Sequence, residues 1–265
     1  MPFRDAAGRL ILPPMSRRST TNSVLVAAMV TAVLGLPEAP RAQATDLLLV
    51  LAADVSRSID DGEFTLQRKG YAAALTDPRV LAAIRSGASG TIAICFVEWS
   101  GAGEQNVVAD WTVIRDEEDA GGLSTVILAA PRSFIGRTSI SGAIDFAMER
   151  FAAAQPRSHR RIIDVSGDGT NNSGRSVTDA RDEAVAQGVT INGLAIINDK
   201  PNPGYTFHTQ PPGGLPEWYR QNVIGGPGAF LRVVENFQSF ADAMTNKLVS
   251  EIAATEAPQR TASFR

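Results

Sequence analysis

The chain has 265 residues, 44% of them hydrophobic and 20% charged, with a formal net charge of −3. That composition supports a sizeable globular core. It offers no basic block of the kind nucleic-acid binders carry. A single cysteine, Cys95, excludes an intramolecular disulfide, and two histidines exclude a histidine-rich zinc site.

The first 44 residues read as a signal peptide. Ser23 to Leu36 is an uncharged apolar run preceded by Arg17-Arg18 and followed by Ala42-Gln43-Ala44, the n-region, h-region and small-residue cleavage pattern of a secretory leader. The n-region is long, which makes Met15 a candidate true start. Arg17-Arg18 suggests a twin-arginine signal, but Ser19-Thr20-Thr21 lacks the apolar residues that follow one, so the general secretory route is preferred. The apolar run is shorter than the ~20 residues that span a bilayer, so no stable membrane span is expected after cleavage behind Ala44. Residues 45–265 carry 20 basic and 26 acidic residues, an acidic protein expected in the periplasm or secreted.

Strands and helices then alternate. The segments Leu47–Ala53, Thr91–Glu98, Arg161–Ser166, Val189–Ile197 and Ala229–Val234 read as strands, the first two almost wholly apolar, as strands covered on both faces are. Glu63–Thr76, Ser139–Ala153, Ser176–Gln187 and Phe237–Ala253 carry apolar residues at helical spacing. Gln105–Thr112 follows the short Gly101-Ala102-Gly103 loop, which predicts a hairpin and an antiparallel edge strand. Asn198–Gly214 is rich in proline and glycine and reads as a surface loop. Trp218-Tyr219 with Gly225 to Gly228 reads as a helix and turn against the last strand, and residues 256–265 as a flexible tail. The fold class expected is α/β: one doubly wound, Rossmann-like, mostly parallel sheet with one antiparallel edge strand and helices on both faces, over residues 45–255. Cys95 lies in an apolar run and reads as a buried, inert thiol.

In open parallel sheets, sites form beyond the carboxyl ends of strands. After the first strand come Asp54, Ser56 and Ser58. After the third come Gly167-Asp168-Gly169-Thr170-Asn171-Asn172. Before the helix over 139–153 comes Gly136-Arg137-Thr138. These are oxygen donors, which suit hard cations. Three other frames fail. No phosphate-binding glycine loop follows the first strand, and no G-x-S-x-G elbow occurs. An EF-hand loop opening at Asp164 would place Arg175 where a bidentate glutamate belongs. The histidines, His159 beside two arginines and His208 in the Pro-rich loop, read as surface residues.

Asp54-Val55-Ser56-Arg57-Ser58, Thr138 and Asp168-Gly169, in this order, resemble the motif of a von Willebrand factor type A domain with a metal-ion-dependent adhesion site. The stretches around Trp99 and before the last strand are similar to a bacterial exported, uncharacterised subgroup. The departures are Arg137, where a glycine is common, and Ser166-Gly167, where a threonine usually precedes the aspartate. The resemblance implies that Ser56 and Ser58 bind the metal directly, Thr138 directly or through water, and Asp54 and Asp168 often through water. The implied ion is Mg2+, with Mn2+ or Ca2+ as alternatives, and the implied partner is a protein presenting a carboxylate. Neutral hydroxyls under-neutralise such an ion and leave it electrophilic. The reading is therefore a binding module and not an enzyme. The alternatives are a metal-dependent hydrolase-like enzyme, for which Glu98 is the candidate base, and a structural module with a vacant metal site. Ser58 or Asp60 is expected to cap the first helix, with Glu63 as the capping-box partner. Trp99 either lines the binding face or closes the core. Asp164, inside a central strand, needs a buried partner such as an arginine or a hydroxyl.

Overall fold

A computed structural model describes residues 44–197 and 206–253. The expected leader over 1–44, Ala44 excepted, and the tail over 256–265 lie outside the described residues. Six strands form one sheet: β1 (Leu47–Asp54), β2 (Ile92–Trp99), β3 (Gln105–Ile114), β4 (Arg161–Gly167), β5 (Thr190–Ile196) and β6 (Leu231–Val234). Their order is β3-β2-β1-β4-β5-β6. All neighbours are parallel except β2 and β3, which pair antiparallel at the edge.

Successive β1 side chains alternate between two apolar layers because strand side chains alternate faces. Leu47, Leu49 and Leu51 join one layer, with Tyr71, Phe96, Phe240 and Leu248. Leu48, Val50 and Ala52 join the other, with Trp99, Ile144, Phe151 and Tyr219. The first layer is covered by α1 (Asp61–Leu75), α2 (Pro78–Arg85), α3 (Glu117–Ala129) and α8 (Phe240–Ala253). The second is covered by α4 (Ile140–Ala153), α5 (Val177–Ala186) and α7 (Leu215–Asn222). Fully burying one leucine-sized side chain contributes about 1.5–3 kcal/mol, so both faces of β1 anchor the sheet.

Caps set where the helices begin. Asp60 accepts from the Glu63 amide while Glu63 accepts from the Asp60 amide, the capping box that fixes the start of α1. This leaves Ser58 free for another task. Ser139 caps α4 by accepting from Gly142 N.

Two helices, α2 and α3, were not expected from periodicity. Pro78 at the first position and Asp77 as cap start α2. The Gly121-Gly122 pair weakens the helical signal of α3. The region read as a surface loop contains α6 (Thr206–Thr209) in its described part.

Candidate metal centre

The strand order reverses between β1 and β4, where β1 leads into α1 on one face and β4 into α5 on the other. Divergent loops open a crevice at such a switch point. Register places Ala53 beside Ser166, so Asp54 and Asp168 leave adjacent strand ends into that crevice. Asp54 and Asp168 are completely buried, Ser56 and Thr138 almost so.

Short contacts tie four of these side chains into one chain. The Ser56 amide donates to Asp54 Oδ1 at 2.7 Å, Ser56 Oγ lies 3.2 Å from Ser58 Oγ, and Ser58 Oγ donates to Asp168 Oδ1 at 2.6 Å. The Thr138 loop is zipped onto them: the Arg57 amide donates to Gly136 O at 3.0 Å. Ser58 and Thr138 line one small cavity of about 110 Å3, with Arg57, Arg137, Asn172 and His208. The structure thus brings together all five residues expected from sequence.

The loop geometry is held from outside the motif. The Arg132 guanidinium donates to the carbonyls of Val55, Ser56 and Ile59, each at 2.8 Å. Asn172 accepts from the Thr138 amide at 2.9 Å and donates its own amide to Thr138 O at 2.9 Å. Asn171 accepts from the Ser141 amide at the start of α4. The two motif departures have physical explanations. Arg137 is exposed and needs no left-handed backbone. A Cβ on Gly167 would lie 2.7 Å from Tyr219 Oη and 2.9 Å from Asp54 Oδ2, so the glycine makes room for a tyrosine hydroxyl buried beside the aspartate.

The residues fit a cation. Asp54 Oδ2 is buried and has no hydrogen-bond partner among the described residues. Burial, and next the Asp168 charge, push the Asp54 carboxyl well above the usual carboxylate range. Two like charges in one dry crevice raise each other's cost, and a divalent ion bound there would relieve both.

Residues 44–256 match the family model described as "Protein of unknown function (DUF1194)". The chain belongs to this family. No curated protein matches it. Among solved structures, this DUF1194 member resembles proximal thread matrix protein 1 from the mussel byssus with a zinc-occupied MIDAS motif (TM-score 0.58, 14% identity, 80% of this chain and 49% of that one). It also resembles von Willebrand factor type A from Catenulispora acidiphila (TM-score 0.56, 12% identity, 79% and 43%). A third is the pilus adhesin SpaC from Lactobacillus rhamnosus GG in its open conformation (TM-score 0.55, 13% identity, 79% and 30%). The fold of the DUF1194 chain is that of a von Willebrand factor type A domain, and the chain spans about half the length of the mussel protein or less of the others.

Several residues of this family member differ from expectation. Glu98, the candidate base, is completely buried and fully engaged. Arg68 donates to Oε1 at 2.8 and 2.5 Å and the Ser133 amide to Oε2 at 2.9 Å. It braces α1 and the 131–133 loop. Trp99 is completely buried in the core. The partner of Asp164 is a lysine, Lys247 of α8, whose Nζ lies 2.6 Å away and also pairs with Glu251. His208 is half-buried against the site instead of fully exposed. Its Nε2 lies 2.9 Å from Thr138 Oγ1 and its Nδ1 3.0 Å from Thr170 Oγ1, and burial, then Arg137, push its pKa down to about 4. His159 is exposed as expected. The Cys95 thiol is buried and pushed up to about 12, an inert group. Arg132 and His208 carry no signal at sequence level as site residues, Arg132 because its targets are backbone carbonyls and His208 because it reaches the site from a segment distant in sequence; Asn172 stands in the loop already singled out after the third strand.

Proposed function

We propose that this protein is an exported binding module that holds a divalent cation, Mg2+ in the first instance, on Asp54, Ser56, Ser58, Thr138 and Asp168. Through that ion it binds a carboxylate presented by a protein partner. One observation carries the reading: Asp54 Oδ2 is buried without a partner beside a second buried carboxylate, at the fold's own ligand crevice. The hydroxyls would contact the ion, and the carboxylates would balance its charge from behind. Such an ion keeps a net pull on an incoming anion.

The rim agrees with an acidic partner. Arg57 and Arg137 are exposed on the cavity lining, and neither forms an ion pair among the described residues. Charges of this kind steer anionic partners and raise association rates. Similar folds with a zinc-occupied MIDAS motif and in a pilus adhesin support the binding reading. The engagement of Glu98 by Arg68 weighs against the hydrolytic alternative. Among the described residues no helix is long and apolar enough to cross a membrane.

Calorimetry of the purified full chain with Mg2+ and Mn2+ tests the centre. Wild type should bind, and Asp54→Ala and Ser56→Ala should not. An EDTA-sensitive pull-down from the exported proteome then tests the partner. Absence of binding by wild type, or equal binding by the variants, would overturn the metal reading.

A further inference from the structure

The five oxygen donors leave His208 unused, although it lies among them. Its Nε2 faces Thr138 Oγ1 at 2.9 Å, and Ser58, Thr138 and His208 line the same cavity. For metal bonds of about 2.1 Å, adjacent ligand atoms of an octahedron stand about 3 Å apart. The Thr138–His208 separation has that length, as does the 3.2 Å between Ser56 Oγ and Ser58 Oγ. Four of the donors thus have the spacing of neighbouring ligand positions.

The ring is also held as a ligand histidine is held. Thr170, two residues beyond Asp168, meets Nδ1 through its hydroxyl at 3.0 Å and donates its amide to the His208 carbonyl at 3.1 Å. An acceptor on Nδ1–H fixes the tautomer that leaves the Nε2 lone pair pointing at the cavity. Gly169 completes the cradle, because any Cβ there would strike the imidazole at Nε2, Cε1 and Cδ2. The loop after β4 is therefore shaped around two things at once, the carboxylate of Asp168 and the ring of His208.

We propose that His208 Nε2 is a further metal ligand, making a mixed nitrogen–oxygen centre that prefers a borderline divalent ion such as Zn2+ to Mg2+. This rests on the reading that Asp54, Ser56, Ser58, Thr138 and Asp168 hold a cation, and it revises which ion they hold. Imidazole suits zinc and its first-row neighbours, whereas Mg2+ favours oxygen alone. Thr170 is then a positioning residue for the ring.

The test is a set of titrations on the metal-stripped full chain, wild type and His208→Asn, with Zn2+ and with Mg2+. A pulsed EPR spectrum of each with Mn2+ bound accompanies them. Wild type should bind Zn2+ at least about tenfold more tightly than Mg2+. His208→Asn should lose about 10–100-fold in Zn2+ affinity and leave Mg2+ within about threefold. The wild-type Mn2+ spectrum should show the modulation of a coordinated imidazole nitrogen, absent from the variant. Unchanged Zn2+ affinity in His208→Asn, with wild type binding ions, overturns the histidine ligand and leaves the oxygen centre standing. No binding of any ion by wild type removes both. If the variant loses both ions together, the wild-type spectrum decides: a nitrogen coupling supports the ligand, and its absence refutes it.

Discussion

Asp54→Asn separates what the centre costs from what it does. Asparagine keeps the acceptor for the Ser56 amide, held at 2.7 Å in the native chain. It removes the negative charge next to Asp168 and offers a donor where Oδ2 has no partner. Carrying a charge that burial and Asp168 both disfavour costs on the order of 1–3 kcal/mol, and asparagine removes that charge, so the metal-free variant should be more stable than metal-free wild type by that order. For a domain of this size each kcal/mol shifts Tm by about 2–4 °C, so the rise in EDTA should be about 2–12 °C. With metal the gap should close or reverse. An ion at a hundred times its Kd adds about 2.7 kcal/mol to wild type and nothing to the variant. The sign with pH follows from the raised Asp54 carboxyl. In metal-free wild type the cost is present at neutral pH and vanishes as the pH falls below the ordinary carboxylate range, where folded and unfolded chains are both protonated. The advantage of Asp54→Asn in EDTA should therefore shrink on acidification. Scanning fluorimetry with EDTA or with Mg2+, Mn2+ or Zn2+, at pH 7 and pH 4, reads all of this. A variant that melts below wild type in EDTA would refute the argument.

Other perturbations probe the rest of the structure. Burial first, then the Asp164 charge, raise Glu251 to about 7 against the opposing pull of Lys247 and Asn192. Its folded state thus keeps a proton that the unfolded chain releases, and stability should fall between roughly pH 4.5 and 7 by up to about 1.4 kcal/mol per pH unit. Denaturant curves of Glu251→Gln should lack that slope, and an unchanged slope would reject the assignment. Glu98→Gln strands the buried Arg68 guanidinium and should cost about 3–5 kcal/mol with metal affinity intact. Loss of metal binding in a folded Glu98→Gln chain would show that the residue does more than brace. Gly167→Ala presses on Tyr219 Oη and Asp54 Oδ2 and should cost about 1–3 kcal/mol. Adding Tyr219→Phe should recover part of that loss, a coupling a double-mutant cycle measures.

What the sequence reveals follows from how far each feature reaches along the chain. The central strands are legible because a strand buried on both faces is apolar at every position, as β1 is. Asp54, Ser56 and Ser58 are legible because one strand end supplies them at alternate positions. Thr138 and Asp168 are legible because Ser139 caps α4 and β4 ends at Gly167. Arg132 is invisible because its targets are backbone carbonyls, which every residue has. His208 is invisible for a different reason. Its surroundings are rich in proline and glycine, a composition that signals exposure, whereas its burial depends on Thr138 and Thr170 from distant segments.

The two buried acidic clusters differ in a way that sorts structure from function. Asp164 and Asp54 are both completely buried near a second carboxylate, Glu251 for one and Asp168 for the other. Asp164 and Glu251 receive Lys247, a cation from within the chain, with Asn192 donating to Glu251 at 2.9 Å. Asp54 is given no ion-pair partner among the described residues, and Arg132, whose guanidinium is occupied by carbonyls, is the least of the influences on its carboxyl. A chain that needed only to neutralise Asp54 had the means it used for Asp164. Breaking a buried pair costs about 3–5 kcal/mol, so Asp164 and Glu251 are held by the chain itself, whereas on the reading proposed above Asp54 would be completed by a cation from outside.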